Sequence, residues 1–374
     1  MGQDFSPPPL SLYIHIPFCL SRCGYCSFFS LRFSKSAIEA YLGYLNKEKA
    51  LYRQHLSSPL ASLYFGGGSP SLLSAEQINT VCEGLQLSPY TEITLEINPI
   101  QITPAFLSAL TTTPVNRLSL GVQSMTDAEL KWLDRRHTAA QMPDKLKLCR
   151  EFGYDNISLD LIYGLPGSSV ATLSHNLDAY LALEPEHVSC YLLTLDEESV
   201  RYAEVGTLPD EDSQFEQYEL IRSTLTANGF QHYEISNFAL PDKASRHNLA
   251  YWNSNNYLAL GASAAGWMAP IRYHNAADLT DYYRSIDTGE IYPNQSVCTR
   301  QRMMEDYLMM GLRLIEGIDV RGFKQRFGMD IDAVYRERIR QLTSIGMLKR
   351  EDDSLSLSEA ALFVSNRVIA ELIL

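Results

Sequence analysis

Leu12-Tyr13-Ile14-His15-Ile16-Pro17-Phe18-Cys19 runs directly into Cys23, Gly24, Tyr25 and Cys26. The alternating, β-branched opening reads as a short strand, and Pro17 ends it. Three cysteines then follow at the spacing C-x-x-x-C-x-x-C. Three thiolates on one tight loop suit three corners of a cubic [4Fe–4S] cluster, which normally takes four cysteine ligands. No fourth cysteine follows closely, and Phe28 stands where the next could fall. One iron would stay open to bind something else. Two plainer readings compete. A disulfide framework fits poorly, because the chain has seven cysteines and Cys82, Cys149, Cys190 and Cys298 are scattered singly, as small core residues are. A zinc site would need a fourth ligand, for which His15 is near but alternates with Tyr13 along the strand.

Outward from this loop, composition sets bounds. The 374 residues are 45% hydrophobic and 20% charged, an ordinary globular balance with room for one large barrel and a small second domain. A net charge of −13 argues against nucleic acid or an anionic membrane surface as the main partner. No apolar run reaches the roughly 20 residues of a membrane span. The start, Met1-Gly2-Gln3-Asp4-Phe5-Ser6, is polar, has no signal-peptide core and fits the myristoylation pattern only formally. Thiols serving a reduced cluster suit a reducing compartment, so the expected location is the cytoplasm.

The chain then alternates. Helices are expected over 37–55, from about 75 to 85 behind a Ser74–Gln77 capping box, from Thr103-Pro104, over 127–152 and over 170–183. Strands are expected over 63–65, 92–97, 117–122, 157–162 and 188–193. About six strand–helix units in series predict an α/β fold, a parallel sheet curled into a partial (β/α)6 TIM-type barrel. Polar or glycine-rich residues stand at the carboxyl end of each strand: the cysteine loop, Gly66-Gly67-Gly68-Ser69, Glu96 with Asn98, Gln123 with Ser124, Asp160, and Thr194. Barrel enzymes assemble their sites at that rim. A glycine run after a strand lets backbone approach a ligand, though a plain turn explains many such runs. Arg135, among Asp134, Arg136 and His137, reads equally well as a solvated helix end.

The cysteine loop resembles the signature of the radical S-adenosylmethionine (SAM) superfamily. In that superfamily the open iron is chelated by SAM, whose reductive cleavage yields a 5′-deoxyadenosyl radical. Residues 13–26, with I-H-I-P-F-C ahead of the cluster, resemble more narrowly the oxygen-independent coproporphyrinogen III oxidase family. The resemblance implies that Cys19, Cys23 and Cys26 hold the cluster. It also implies that Gly67, Gly68 and Ser69 (threonine in the family), Glu96, Gln123, Arg135 and Asp160 contact SAM, with Tyr13, Tyr25 and Thr194 as weaker matches.

Beyond residue 203 the pattern loosens. A helix over 211–228 and a strand near Tyr233 precede His247-Asn248-Leu249-Ala250-Tyr251-Trp252, which reads neutrally as a loop with buried aromatics. A histidine flanked by Tyr251 and Trp252 could also be an axial iron ligand beside a porphyrin. The hexapeptide matches the H-N-x-x-Y-W motif of the HemW branch, the haem chaperones of the same family, which bind haem and pass it to acceptor haem proteins. Phe28 fits that branch, since the oxidases carry another cysteine there, as does the short stretch before Cys19 where the oxidases have a long extension. Within Gly261-Ala262-Ser263-Ala264-Ala265-Gly266, Ala265 stands where relatives usually have histidine.

Residues 301–374 resemble the family's winged-helix-like, mainly helical carboxyl domain, with helices over 302–315, 320–327 and 331–345 and a short alternation at Leu355-Ser356-Leu357. Eleven Lys/Arg against twelve Asp/Glu leave no basic footprint for DNA. Met303, Met304, Met309 and Met310 read as gap-filling core residues. The expected organisation is a barrel over 1–240, a connecting region over 241–300 and the carboxyl domain over 301–374. Two functions compete. One is a haem chaperone with a [4Fe–4S] cluster and SAM in the barrel and haem as cargo, delivering to membrane-bound or cytosolic haem proteins, with pairing of two chains left open. The other is a radical SAM oxidase converting propionates of coproporphyrinogen III to vinyl groups.

Overall fold

A computed structural model describes residues 9–373, so the polar start of the chain and its formal myristoylation pattern lie outside the described residues. Six parallel strands form the centre: β1 (Ser11–Ile16), β2 (Ser62–Gly67), β3 (Glu92–Ile97), β4 (Arg117–Gln123), β5 (Ile157–Tyr163) and β6 (His187–Leu192). They are followed by β7 (Gln231–Glu234), β8 (Asn237–Ala239), β9 (Tyr257–Leu260), β10 (Ala265–Met268), β11 (Ile271–His274) and β12 (Ser296–Val297). One twelve-stranded open sheet results, in the order β12-β11-β10-β9-β1-β2-β3-β4-β5-β6-β8-β7. β9 joins parallel to β1, whereas β8 adds antiparallel to β6. The fold is a partial α/β barrel, as expected. Residues 241–300 are more than a connection, since they carry four strands of the same sheet.

The strands alternate strictly. Leu12, Ile14, Leu63, Phe65, Leu95, Leu118, Leu120, Leu159 and Leu161 are fully buried on the outer face. The intervening Tyr64, Glu96, Arg117, Ser119, Ser158, Asp160, His187 and Ser189 line the lumen. A period of two thus separates an oily outer layer from a polar interior. Parallel sheets usually bury apolar side chains on both faces; here the inner face is given over to hydrogen-bonding groups.

The outer helices include α1 (Lys35–Leu51), α2 (Ala75–Cys82) and α3 (Pro104–Leu110). Ser74 and Gln77 form the expected reciprocal cap on α2. Two expectations are corrected. The single helix over 127–152 is two, α4 (Asp127–Trp132) and α5 (Met142–Glu151), because Asp134 adopts a left-handed φ of 55° and ends the first. The segment read as a loop around His247 is a helix, Arg246–Trp252, opened by Ser245, whose Oγ accepts from the Asn248 N–H at 3.3 Å. Cys82, Cys149 and Cys190 are buried, but Cys298 is only half-buried.

The carboxyl region contains helices Arg300–Gly311, Val320–Phe327 and Asp332–Ser344, a three-stranded sheet and a last helix, Ser365–Ile373, which the sequence pattern did not announce. It packs onto the barrel through Phe363 against Phe215 and Tyr218, and through Arg313, which stacks 4.6 Å from the Trp252 ring and lies 3.5 Å from the buried Glu234. Among the described residues no helix is long and apolar enough to cross a membrane.

Candidate functional site

A cavity of about 520 Å3 opens at the carboxyl ends of the strands and runs down the lumen. Cys19, Cys23 and Cys26 lie on its wall, on the loop that leaves β1. That loop is tied down from outside. The Gly24 N–H donates to Asp134 Oδ2 at 2.9 Å, and its carbonyl accepts from the Arg201 N–H at 3.0 Å and the Ser199 hydroxyl at 2.9 Å. A Cβ on Gly24 would meet Asp134 Oδ2 and Arg201 Nε at 2.8 Å, so a larger residue would push against both clamping side chains.

The glycine run after β2 has a similar reason. Gly67 has φ +111°, and a Cβ there would lie 2.6 Å from the His15 ring. Ser69 Oγ then reaches Cys19 Sγ at 3.7 Å and accepts from Asn98 Nδ2 at 2.9 Å. Arg135 closes the circuit, donating to Asn98 Oδ1 at 2.6 Å and the Gly121 carbonyl at 2.5 Å, with Nη1 3.9 Å from Cys23 Sγ. The break after α4 is what swings Arg135 inward, so it belongs to the cavity wall and is not a solvated helix end. Gln123 also lines the cavity; it sits at a strand irregularity with φ 72°, the kind of local kink that re-aims a side chain.

Two enclosed carboxyls face this space. Glu96 accepts from the Tyr64 hydroxyl at 3.0 Å, and burial, reinforced by the nearby Asp160, pushes its pKa up to about 8. Burial also raises Asp160 to about 6, against the Ser189 and Ser119 hydroxyls and the charges of Arg117 and Arg135. Neither forms an ion pair among the described residues. Unpaired enclosed carboxyls suit a cationic ligand, which would restore their charged forms. SAM, with an ammonium and a sulfonium, has that character.

The thiols fit a cluster better than a single ion. Among the described residues no three Cys, His, Asp or Glu side chains converge closely enough to hold one metal. A cubane spreads its thiolates over separate irons. His15 is engaged elsewhere, within 3.1 Å of the Tyr13 hydroxyl and 3.4 Å of the Phe29 carbonyl, which removes the fourth zinc ligand considered above. Phe28 lies at the cavity lip and is 68% exposed.

Of the sequence-expected residues, Tyr25, Gly67, Gly68, Ser69, Glu96, Gln123, Arg135, Asp160 and Thr194 all line the cavity with the three cysteines. Tyr13 does not; it stacks behind Tyr64 at 6.1 Å. His247, Tyr251 and Trp252, expected from the resemblance at a haem site, also lie off its surface. His247 is 1% exposed, with Nδ1 2.8 Å from Ser62 Oγ and Nε2 2.7 Å from the Tyr251 hydroxyl. Ser62 donates onward to Ser11 at 2.9 Å, so Nδ1–H donates to Ser62 and the Nε2 lone pair is taken by Tyr251. Burial and the Arg117 charge lower its pKa to about 3, a neutral, fully used imidazole. Ala265 is exposed and pairs across the β10–β11 hairpin with His274, also exposed. Sequence reasoning passed over Asn98 as a site residue and missed Tyr64, Asp134, Arg201 and Arg117 altogether; the inward period of β2 and β4 was the signal for Tyr64 and Arg117.

Fold and site together define a radical SAM protein. The Radical SAM superfamily profile matches residues 13–179, and the HemN C-terminal domain profile matches residues 298–364. The solved structure of Escherichia coli coproporphyrinogen III oxidase (HemN), a radical SAM enzyme, superposes with a TM-score of 0.86 over 98% of this chain and 90% of that one, at 22% identity, which supports the fold. Heme chaperone HemW of Lactococcus lactis is 33% identical over 98% of both chains, and that of Bacillus subtilis 31% identical over 96% of this chain and 97% of the other. The Escherichia coli Heme chaperone HemW is 35% identical over 69% of this chain and 70% of its own. The chain belongs to this HemW family.

Proposed function

We propose that this protein is a haem chaperone that holds a [4Fe–4S] cluster and SAM in the barrel and carries haem to acceptor haem proteins. Kinship over nearly the full length with proteins named Heme chaperone HemW carries the reading. Cys19, Cys23 and Cys26 would hold the cluster. When bound, a cluster with an open iron supplies a coordination point for SAM and an electron to reduce it. The chain's own groups do the rest. Arg135 is placed for a carboxylate beside Cys23, Glu96 and Asp160 for cationic groups, and Gly67 and Gly68 for close backbone approach. The loop clamps at Gly24 hold the thiols in register. His247, closed on both nitrogens, would act on haem only by positioning the Arg246–Trp252 helix under the barrel. Delivery to membrane-bound or cytosolic acceptors, work in the cytoplasm and pairing of two chains belong to the same proposal.

The test is a haem titration of anaerobically reconstituted protein followed in the Soret band, then transfer to an apo haem protein. Saturable binding near one haem per chain, with transfer, supports the reading; absence of saturable binding overturns it. The intact set of groups around the cysteine loop favours a second reading, a radical SAM oxidase acting on porphyrinogen propionates. Anaerobic turnover with reductant that forms no vinyl product removes it.

A further inference from the structure

Below Glu96 and Asp160, where the strands begin, the lumen wall carries one guanidinium. Arg117, the first residue of β4, is 2% exposed and heads the largest fully buried side chains, yet it lines the cavity. Among the described residues its side chain makes no hydrogen bond, no carboxylate lies within 4.0 Å of it, and its Nε is buried without a partner. Beside it in the β3–β4 ladder, Thr94 Oγ1 is likewise buried and unpartnered. The neighbouring groups are already in use. His187 sits between Ser158 Oγ at 2.7 Å and the Tyr233 hydroxyl at 2.8 Å, and burial with the Arg117 charge keeps it neutral. Arginine does not shed its proton to escape burial, so an unpaired one enclosed in the lumen is costly to keep. A guanidinium on the cavity wall with an orphaned Nε, and an orphaned hydroxyl beside it on the adjacent strand, point to a partner supplied from outside the chain.

We propose that Arg117 and Thr94 form an anion subsite at the floor of the barrel that takes the carboxylate of an organic ligand. The chemistry favours a carboxylate over a phosphate. One guanidinium matches one negative charge, and its planar fork suits the two oxygens of a carboxylate. A dianion would meet Glu96 and Asp160 in the same lumen. The site is separate from the one beside the cysteines. Arg117 opens a seven-residue strand and Gln123 closes it, so roughly 20 Å lies between floor and rim. Two sources share the chemistry: a propionate of haem, an identity that rests on the proposed function, or a small free carboxylic acid, which does not.

The experiment uses the full chain with its reconstituted cluster, as wild type, Arg117→Gln and Arg117→Lys. Melting is followed with propionate or succinate against chloride at equal ionic strength, and haem is titrated beside haem dimethyl ester, which has no carboxylates. The subsite predicts a saturable, carboxylate-dependent rise in melting temperature that Arg117→Gln loses and Arg117→Lys keeps in part. Without ligand, Arg117→Gln should melt above the wild type, because an unpaired buried charge is gone. If the haem propionate is the occupant, the wild type binds haem at least about tenfold more tightly than the ester and Arg117→Gln removes that difference. An Arg117-dependent response to small acids without discrimination between haem and its ester keeps the subsite and assigns it to a small acid, leaving the chaperone reading to its own titration. Equal responses in wild type and Arg117→Gln overturn the proposal. So does a fall in melting temperature in both variants with no carboxylate effect, which would make Arg117 structural.

Discussion

Toward the rim of the barrel Glu96 and Asp160 are enclosed carboxyls whose pKa values burial has pushed up, and neither forms an ion pair among the described residues, although the charges of Arg117 and Arg135 reach Asp160. At the floor His187 and His247 are enclosed imidazoles pushed the other way, each with both nitrogens bonded to hydroxyls. Both pairs are buried titratable groups of kinds that serve as ligands and catalysts. Only the rim pair has bonding capacity to spare. Burial of a polar group therefore carries no functional message until its partners are counted, because a satisfied group stabilises the fold and an unsatisfied one awaits something. Arg117 is the floor's exception.

The sharpest test of this contrast is at the cysteine loop. Cys23→Ser should abolish the reconstituted cluster, iron per chain falling to background while far-ultraviolet circular dichroism stays unchanged. Full iron content in that variant would remove the rim as the cluster site.

A smaller but still large effect is expected at the floor. His247→Ala strands the Ser62 and Tyr251 hydroxyls and leaves a void, and should cost about 2–4 kcal/mol in urea unfolding. If the variant unfolds like wild type yet loses haem, His247 is a ligand after all and the contrast breaks. The same residue sets an acid dependence. Its folded pKa is about 3 against an ordinary 6.5, so the unfolded chain binds the extra proton, and this contribution is lost as pH falls from about 6.5 toward 3.

Next comes Arg135. Its guanidinium bridges Asn98, Gly121 and the Cys23 side of the cavity, and Arg135→Ala should weaken SAM binding by about 2 kcal/mol, or roughly 30-fold, by calorimetry. An unchanged affinity would return Arg135 to a purely structural role.

The smallest effect concerns pH. Glu96 titrates near 8 in the folded chain against 4.5 in its ordinary state, so its proton favours the folded form and stability without ligand falls as pH climbs between those values. A cationic ligand prefers the ionised carboxyl. SAM affinity should therefore rise with pH up to about 8, by at most about tenfold per unit, and Glu96→Gln should flatten the profile. A flat profile in the wild type would mean that Glu96 meets no cation.

Much of the rim was legible because it is written locally. Cys19, Cys23 and Cys26 fall within one loop, Gly66-Gly67-Gly68 ends a strand, Glu96 and Thr194 stand at or just past strand ends that a parallel barrel brings together, and Asp160 interrupts an apolar strand. The helix–strand alternation followed from hydrophobic period alone. Arg135 was ambiguous because its placement depends on one left-handed residue, Asp134, that interrupts a plausible helix. The helix at Arg246–Trp252 is only seven residues long, and so short a segment carries little periodicity to read.

By itself the chain's order of residues determined the cluster loop, the strand–helix series and the polar rim, since each depends on neighbours within a few positions and on periods of two or 3.6. Only the tertiary structure decided which polar side chains are closed and which remain open. Ser62 meets His247 across 185 positions, Asn98 meets Arg135 across 37, and the Nε of Arg117 meets no partner among the described residues. Hydrogen-bond satisfaction is a property of distances between remote segments, and those distances exist only once the sheet has curled.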